Sequence, residues 1–138
     1  MGTNNEIDKT LAVFLANICI QTYNQYANEG NFDMPDGYSL VDGFKATAIN
    51  RAEWFGFIIK SGDNIVVGFR GTQSETDWLA NANAAQTGYA FAPSRGKIHR
   101  GFMDIYVSCR EKILYTLRKL PANSNVYITG HSLGGALA

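Results

Sequence analysis

Residues 125–138 read Asn-Val-Tyr-Ile-Thr and then Gly130-His131-Ser132-Leu133-Gly134-Gly135-Ala136-Leu137-Ala138: a β-rich run, a glycine-flanked serine and a helix-forming stretch. No other feature constrains the fold as tightly. A serine on a very sharp strand-to-helix turn sits in strained backbone, and side chains two positions to either side would collide, so Gly130 and Gly134 have a steric task. Such a turn lifts the Ser132 hydroxyl above a sheet edge and aims the first N–H groups of the helix at charge developing on a substrate. The Gly-x-Ser-x-Gly pattern alone is weak evidence, and the strand before it and helix after it carry the inference. The alternative is a glycine-rich turn that merely ends a strand.

The preceding elements suit a sheet with crossover connections. Ile7, Leu11, Phe14, Leu15, Ile18 and Tyr26 recur at helical spacing behind Asp8, which predicts an amphipathic helix over 8–28. Turn signals at Asn28-Glu29-Gly30-Asn31, Met34-Pro35-Asp36-Gly37 and Asp42-Gly43 predict a long connection. Residues 54–60 and 65–70, separated by Ser61-Gly62-Asp63-Asn64, predict an antiparallel hairpin. Ser74-Glu75-Thr76-Asp77 resembles a capping box ahead of Trp78, Leu79, Ala82 and Ala85, so a short helix is expected from near Thr76. An irregular stretch through Gly88, Pro93 and Gly96 leads to a second long helix. Phe102, Ile105, Tyr106, Cys109, Ile113, Leu117 and Leu120 form its apolar stripe, and Pro121 stops it. Residues 125–129 then read as a short buried strand. This order belongs to an α/β sheet and not to a bundle or a sandwich.

Composition adds bounds. The 138 residues, 46% apolar and 17% charged, suit one globular domain and exclude collagen-like, disordered and disulfide-framework classes. The longest apolar runs are far shorter than the roughly 18–20 residues of a membrane span. Met1 to Thr10 is polar with two acids and lacks the profile of a secretory signal, so a cytoplasmic location is the default expectation unless a leader was removed. Cys19 and Cys109 fall on apolar helical positions and read as buried thiols, neither disulfide-bonded nor catalytic. Twelve basic and twelve acidic residues balance, but residues 95–119 hold seven basic and two acidic. The strip reads as a solvated helix face, with cations at the end of the helix opposing its negative dipole end, and not as a nucleic-acid site. No metal-ligand spacing is present, and neither a metal nor a cofactor is expected.

Four blocks then converge. Phe69-Arg70-Gly71-Thr72, Asp77-Trp78-Leu79, Ile98-His99-Arg100-Gly101-Phe102 and Gly130-His131-Ser132-Leu133-Gly134-Gly135 resemble, in order and approximate spacing, the class 3 (fungal-type) lipases of the α/β-hydrolase superfamily. The resemblance implies a partial α/β-hydrolase fold, with a mixed, mostly parallel sheet and flanking helices, of which residues 1–138 form the N-terminal part. It makes Ser132 the acyl-accepting nucleophile, Thr72 the first oxyanion-hole residue through its N–H and hydroxyl, and Leu133 the second through its N–H. The segment from about Ser74 to Ala85 resembles the family's short lid, so Trp78 and Leu79 would meet the acyl pocket or a lipid interface; a helix simply docked on the core is the other reading. From its place on the elbow the His131 side chain is expected to point away from Ser132 Oγ, and the resemblance gives it a packing role; His99, which begins a loop-to-helix block, is expected to bond locally.

In this superfamily the chain order is nucleophile, acid, histidine, and the six residues after Ser132 hold no Asp, Glu or His. The expectation is an N-terminal fragment, inactive by itself, of a protein that supplies both triad partners further on. The implied activity is hydrolysis of acylglycerol or other carboxylic esters. Phospholipase A1, feruloyl esterase, a serine peptidase or acyltransferase, and an inactive lipid-binding or interaction module remain as alternatives. The sequence carries no signal of oligomeric state.

Overall fold

The computed structural model describes residues 6–72 and 85–138. Asp8 caps helix α1 (Lys9–Ala27), its Oδ1 accepting from the Leu11 N–H at 3.0 Å and satisfying one donor of the first turn. Strands β1 (Ser39–Ala48), β2 (Arg51–Ser61) and β3 (Asn64–Phe69) follow. A small hairpin of β4 (Gln86–Gly88) and β5 (Lys97–His99), with a 3-10 turn at Pro93–Arg95 between them, leads into α2 (Arg100–Arg118). Strand β6 (Asn125–Gly130) and the single helical turn α3 (Leu133–Leu137) complete the order.

The main sheet runs β1-β2-β3-β6. Two-residue turns join the first three strands, at Ile49-Asn50 and Gly62-Asp63, and turns that short impose antiparallel pairing. Both Ile49 and Asn50 have positive φ, the pattern of a type I′ turn. The chain returns to β3 only after crossing through α2, so β3 and β6 pair in parallel. The sheet is mixed with flanking helices, as expected. The parallel share is smaller than expected: among the described strands, one of the three pairings in the main sheet is parallel.

Helices cover both faces. Ile18 of α1 packs with Phe57, Ile59 and Val66, all 0% exposed, on one side. On the other, Ile105, Cys109 and Ile113 of α2 and Leu133 and Leu137 of α3 pack with Phe44, Phe55, Ile58, Ile65, Val67 and Phe69. The two residue sets alternate along β3, as the period-2 pleat requires.

Three further expectations are corrected. The long connection predicted through Asp42-Gly43 is in fact strand β1, whose pairing with β2 is interrupted by register shifts at Leu40/Asp42 and Phe44/Lys45. The first bulge hides the alternation, and Gly43 stands where a Cβ would lie 3.0 Å from the Trp54 ring. The stretch around Gly88 and Gly96 is the β4–β5 hairpin and not irregular chain. Strand β6 is an edge among the described strands, with Val126 and Ile128 about half exposed, and is not buried as expected. The helix expected from near Thr76, with Trp78 and Leu79, lies outside the described residues.

Both cysteines are unpaired, and burial pushes the Cys109 thiol up to about 11. Two basic residues of α2 have local contacts: Lys112 Nζ lies 2.7 Å from Asp42 Oδ2, and the Arg110 guanidinium lies 3.9 Å from the Phe91 ring centre. Partial burial raises the Asp42 pKa, but hydrogen bonds from Lys112, Thr116 and the Gly43 N–H together with the Lys112 charge outweigh it and leave the carboxyl below its ordinary 3.8. A folded-state pKa below the unfolded one adds stability above 3.8, and that contribution disappears as the pH falls through the folded value. Lys112 is half exposed, so the effect is small, at most about 1 kcal/mol. Asp42→Asn is therefore expected to lower the melting temperature slightly at neutral pH, with the gap to wild type closing in strong acid; thermal melts across that range measure it.

Candidate active site

Ser132 sits between β6 and α3 at φ 56 and ψ −124, a conformation L-residues rarely adopt and one that stores about 1–3 kcal/mol. Its surroundings hold it there. The Gly134 N–H donates to the His131 carbonyl and the Gly135 N–H to the Ser132 carbonyl, both at 2.9 Å. A Cβ on Gly130 would fall on the Gly134 carbonyl, and a Cβ on Gly134 would fall on that of Phe69, so both glycines are required by backbone-on-backbone contact. The Leu133 side chain, 5% exposed, pins the turn to the core, while Ser132 itself is exposed. Leu133 is the first residue of α3, and no carbonyl precedes its N–H in the helix.

The end of β3 runs beside this turn. Phe69 pairs with Gly130, so Arg70-Gly71-Thr72 leaves the sheet alongside His131-Ser132-Leu133. A Cβ built on Gly71 would lie 2.6 Å from the His131 carbonyl and 3.3 Å from Ser132 Cβ. Gly71 therefore packs directly against the serine, and Thr72, half-buried, follows it. Among the described residues no hydrogen bond uses the Thr72 N–H.

Tyr23 of α1 closes the site from below. Its hydroxyl shares a hydrogen bond with His131 Nδ1 at 3.1 Å and lies where a Gly71 Cβ would stand. His131 is thus tied to α1. His99 bonds locally, as expected: it caps α2, and its Nδ1 accepts from the Gly101 N–H at 3.1 Å. The structure thus brings Ser132, Leu133 and Gly71 together, with Thr72 next in the chain, while Trp78 and Leu79 lie outside the described residues. A cleft of about 380 Å³ between Tyr89, Lys97, Phe102, Tyr106 and Leu137 opens beside α3 but is not lined by Ser132 or Thr72. Among the described residues no cluster of His, Cys, Asp and Glu could hold a metal.

Sequence reasoning passed over Tyr23 and the inward turn of Arg70. The signal for Arg70 was available, because a cation closing the apolar run Ile65-Val66-Val67-Gly68-Phe69 demands buried partners. Tyr23 gave none.

A family model for class 3 lipases matches residues 66–138. The chain belongs to the class 3 lipase family. Among the chain's relatives, Galactolipase DONGLE, chloroplastic, of Arabidopsis thaliana is 28% identical over 149 residues, covering 80% of the chain and 32% of that protein. Phospholipase A1-Ialpha2, chloroplastic, of the same plant is 28% identical over 152 residues, covering 80% and 31%. The crystal structure of the lipase from Rhizopus microsporus var. chinensis superposes with a TM-score of 0.71 at 26% identity, over 99% of this chain and 50% of that one. The fold is that of the fungal lipases, of α/β-hydrolase type. The chain spans about a third of the length of the curated relatives it matches.

The glycine contacts make a sharp prediction about stability. Gly130→Ala and Gly134→Ala place a methyl group on backbone that has nowhere to move, and each is expected to destabilise by about 4 kcal/mol or more, or to prevent folding. Gly88→Ala meets nothing within 4 Å and is expected to stay within about 0.5 kcal/mol of wild type in the same denaturation assay.

Proposed function

We propose that residues 1–138 are the nucleophile-bearing N-terminal part of a single-domain serine ester hydrolase acting on acyl lipids. The observation that carries this reading is the elbow: an exposed serine at φ 56 with Gly71 packed against its Cβ. Ser132 Oγ attacks the ester carbonyl. The N–H groups of Leu133 and Thr72, with the Thr72 hydroxyl, receive the negative charge that develops on the carbonyl oxygen. The alcohol departs as the acyl-enzyme forms, and water then releases the fatty acid.

Ser132 needs a base held by a carboxylate. In our reading a histidine and an acid, in that superfamily's order after the nucleophile, complete the triad in the parent protein. Neither His99, committed to capping α2, nor His131, bonded to Tyr23, is offered as that base. By themselves residues 1–138 are expected to be inactive. Trp78 and Leu79 are assigned to a lid that contacts the acyl chain or a lipid interface.

The two plant relatives, a galactolipase and a phospholipase A1, favour a second reading of the substrate: a glycerolipid with a polar head group. None of the described helices is long and apolar enough to cross a membrane, and transient contact with a lipid surface is the mode of access proposed.

In the complete protein, Ser132→Ala is expected to abolish both ester hydrolysis and labelling by a fluorophosphonate probe. A folded wild-type protein that neither labels nor hydrolyses any acylglycerol, phospholipid or galactolipid would instead identify a binding module. The lid makes its own prediction: hydrolysis of a long-chain ester is expected to jump as substrate passes its solubility limit, and Trp78→Ala to flatten that jump. Smooth saturation in wild type would count against a moving lid.

A further inference from the structure

Arg70 is charged yet only 3% exposed, and none of the chemistry above uses it. Its side chain folds back on its own turn. Nε donates to the Gly71 carbonyl at 2.9 Å, Nη2 donates to Glu53 Oε2 at 3.1 Å, and the guanidinium lies over the rings of Tyr26 and Phe55 at 4.0 and 4.4 Å. Burying a guanidinium carries a desolvation penalty that an apolar side chain of similar volume would avoid. Packing alone therefore does not favour arginine at this position.

The carbonyl that Arg70 holds belongs to the peptide unit that also carries the Thr72 N–H. The unit is planar and trans, so fixing the Gly71 C=O direction points the Thr72 N–H the opposite way. The neighbouring glycine has unusually free φ and ψ, which makes this plane the softest part of the turn without an external hold. Gly71 also lies against Ser132 Cβ, so a rotation of the plane displaces a group immediately beside the nucleophile.

We propose that the Glu53–Arg70 pair is a positioning device that orients the Thr72 N–H toward the carbonyl oxygen of an ester on Ser132, an inference that rests on the hydrolase reading above. Glu53 holds the far end of the guanidinium, the two rings hold its faces, and Nε passes that fixed direction to the peptide. Arg70 touches no reacting atom. Because the donor meets full negative charge only in the tetrahedral state, loosening it raises the barrier more than it weakens substrate binding.

The test uses the complete enzyme and a soluble ester, p-nitrophenyl butyrate, with rates normalised to active sites counted by fluorophosphonate. Arg70→Lys keeps a cation beside Glu53 and removes the Nε donor. It is expected to lower kcat roughly 10- to 100-fold with KM within about twofold of wild type. The inhibition constant of a trifluoromethyl ketone, whose adduct with Ser132 carries the oxyanion, is expected to rise by the same factor as kcat/KM falls. Glu53→Ala is expected to show a smaller loss of the same pattern. Wild-type kcat and ketone inhibition in folded Arg70→Lys overturn the proposal, and so does a change confined to KM. If Arg70→Lys fails to fold, unchanged kcat in Glu53→Ala overturns it equally. Ser132→Ala runs alongside: retained hydrolysis there removes the hydrolase reading and this one with it, whereas loss there beside an unaffected Arg70→Lys removes only the positioning role.

Discussion

The parallel register of β3 on β6 is the constraint from which the site follows. Phe69 stands opposite Gly130, and the two chains leave the sheet side by side, one as Arg70-Gly71-Thr72 and the other as His131-Ser132-Leu133. Neither turn could be joined to the other by a hairpin, because parallel neighbours require a crossover, supplied here by α2. The hydrophobic pattern selects the register. Ile65, Val67 and Phe69 face α2 and Val66 faces α1, all at 4% exposure or less, and a one-residue slip would exchange the two faces. The same slip would carry Gly71 away from Ser132. Core packing and site geometry are therefore one requirement.

Glycine makes that register usable at the strand ends. Two turns leave one sheet edge at contact distance, and at Gly71, Gly130 and Gly134 a side chain would occupy space already taken by neighbouring backbone or by the Tyr23 hydroxyl. The strained φ of Ser132 is sustained by this close approach, by the buried Leu133 side chain and by the two hydrogen bonds across the elbow. Strain of about 1–3 kcal/mol is small against the burial that surrounding residues contribute, so the fold tolerates it locally.

The legible parts of this sequence are those in which local chemistry and tertiary position agree. Asp8 followed by an apolar stripe gives α1 within one residue at each end, and Pro121 limits α2, which ends at Arg118. The β2–β3 hairpin and the elbow are both marked by glycine at the turn. Strand β1 is illegible because its bulge beside Val41 breaks the two-residue alternation, and because Asp42-Gly43, a turn signal in isolation, is demanded by tertiary neighbours: Lys112 and Thr116 for the acid, the Trp54 ring for the glycine. The half-exposed face of β6 was equally hidden, since Val126 and Ile128 read as core residues whatever covers them. At the candidate site, Ser132, Leu133 and Thr72 were legible as a pattern, whereas the side chains bonded beside them, Tyr23 of α1 and Glu53 of β2, leave no local mark.

Those hidden partners share a physical logic. Gln25 of α1, 1% exposed, donates from Nε2 to the Gly56 carbonyl at 3.0 Å, and Arg70 donates from Nε to the Gly71 carbonyl at 2.9 Å. Each buried polar side chain is spent on the carbonyl of a glycine at a point where the regular ladder is disturbed, Gly56 beside the β1–β2 irregularity and Gly71 past the end of β3. Glycine is needed at both places for close approach, and the freedom it brings leaves a peptide plane that apolar packing cannot orient, because dispersion is non-directional. A hydrogen bond has a direction. Replacing either side chain by a hydrocarbon of equal volume would preserve the core and release the plane, which explains why polar groups occupy positions where desolvation opposes them. Helix α1, carrying Gln25 for one plane and Tyr23 for His131, acts accordingly as a positioning layer as well as a hydrophobic cover.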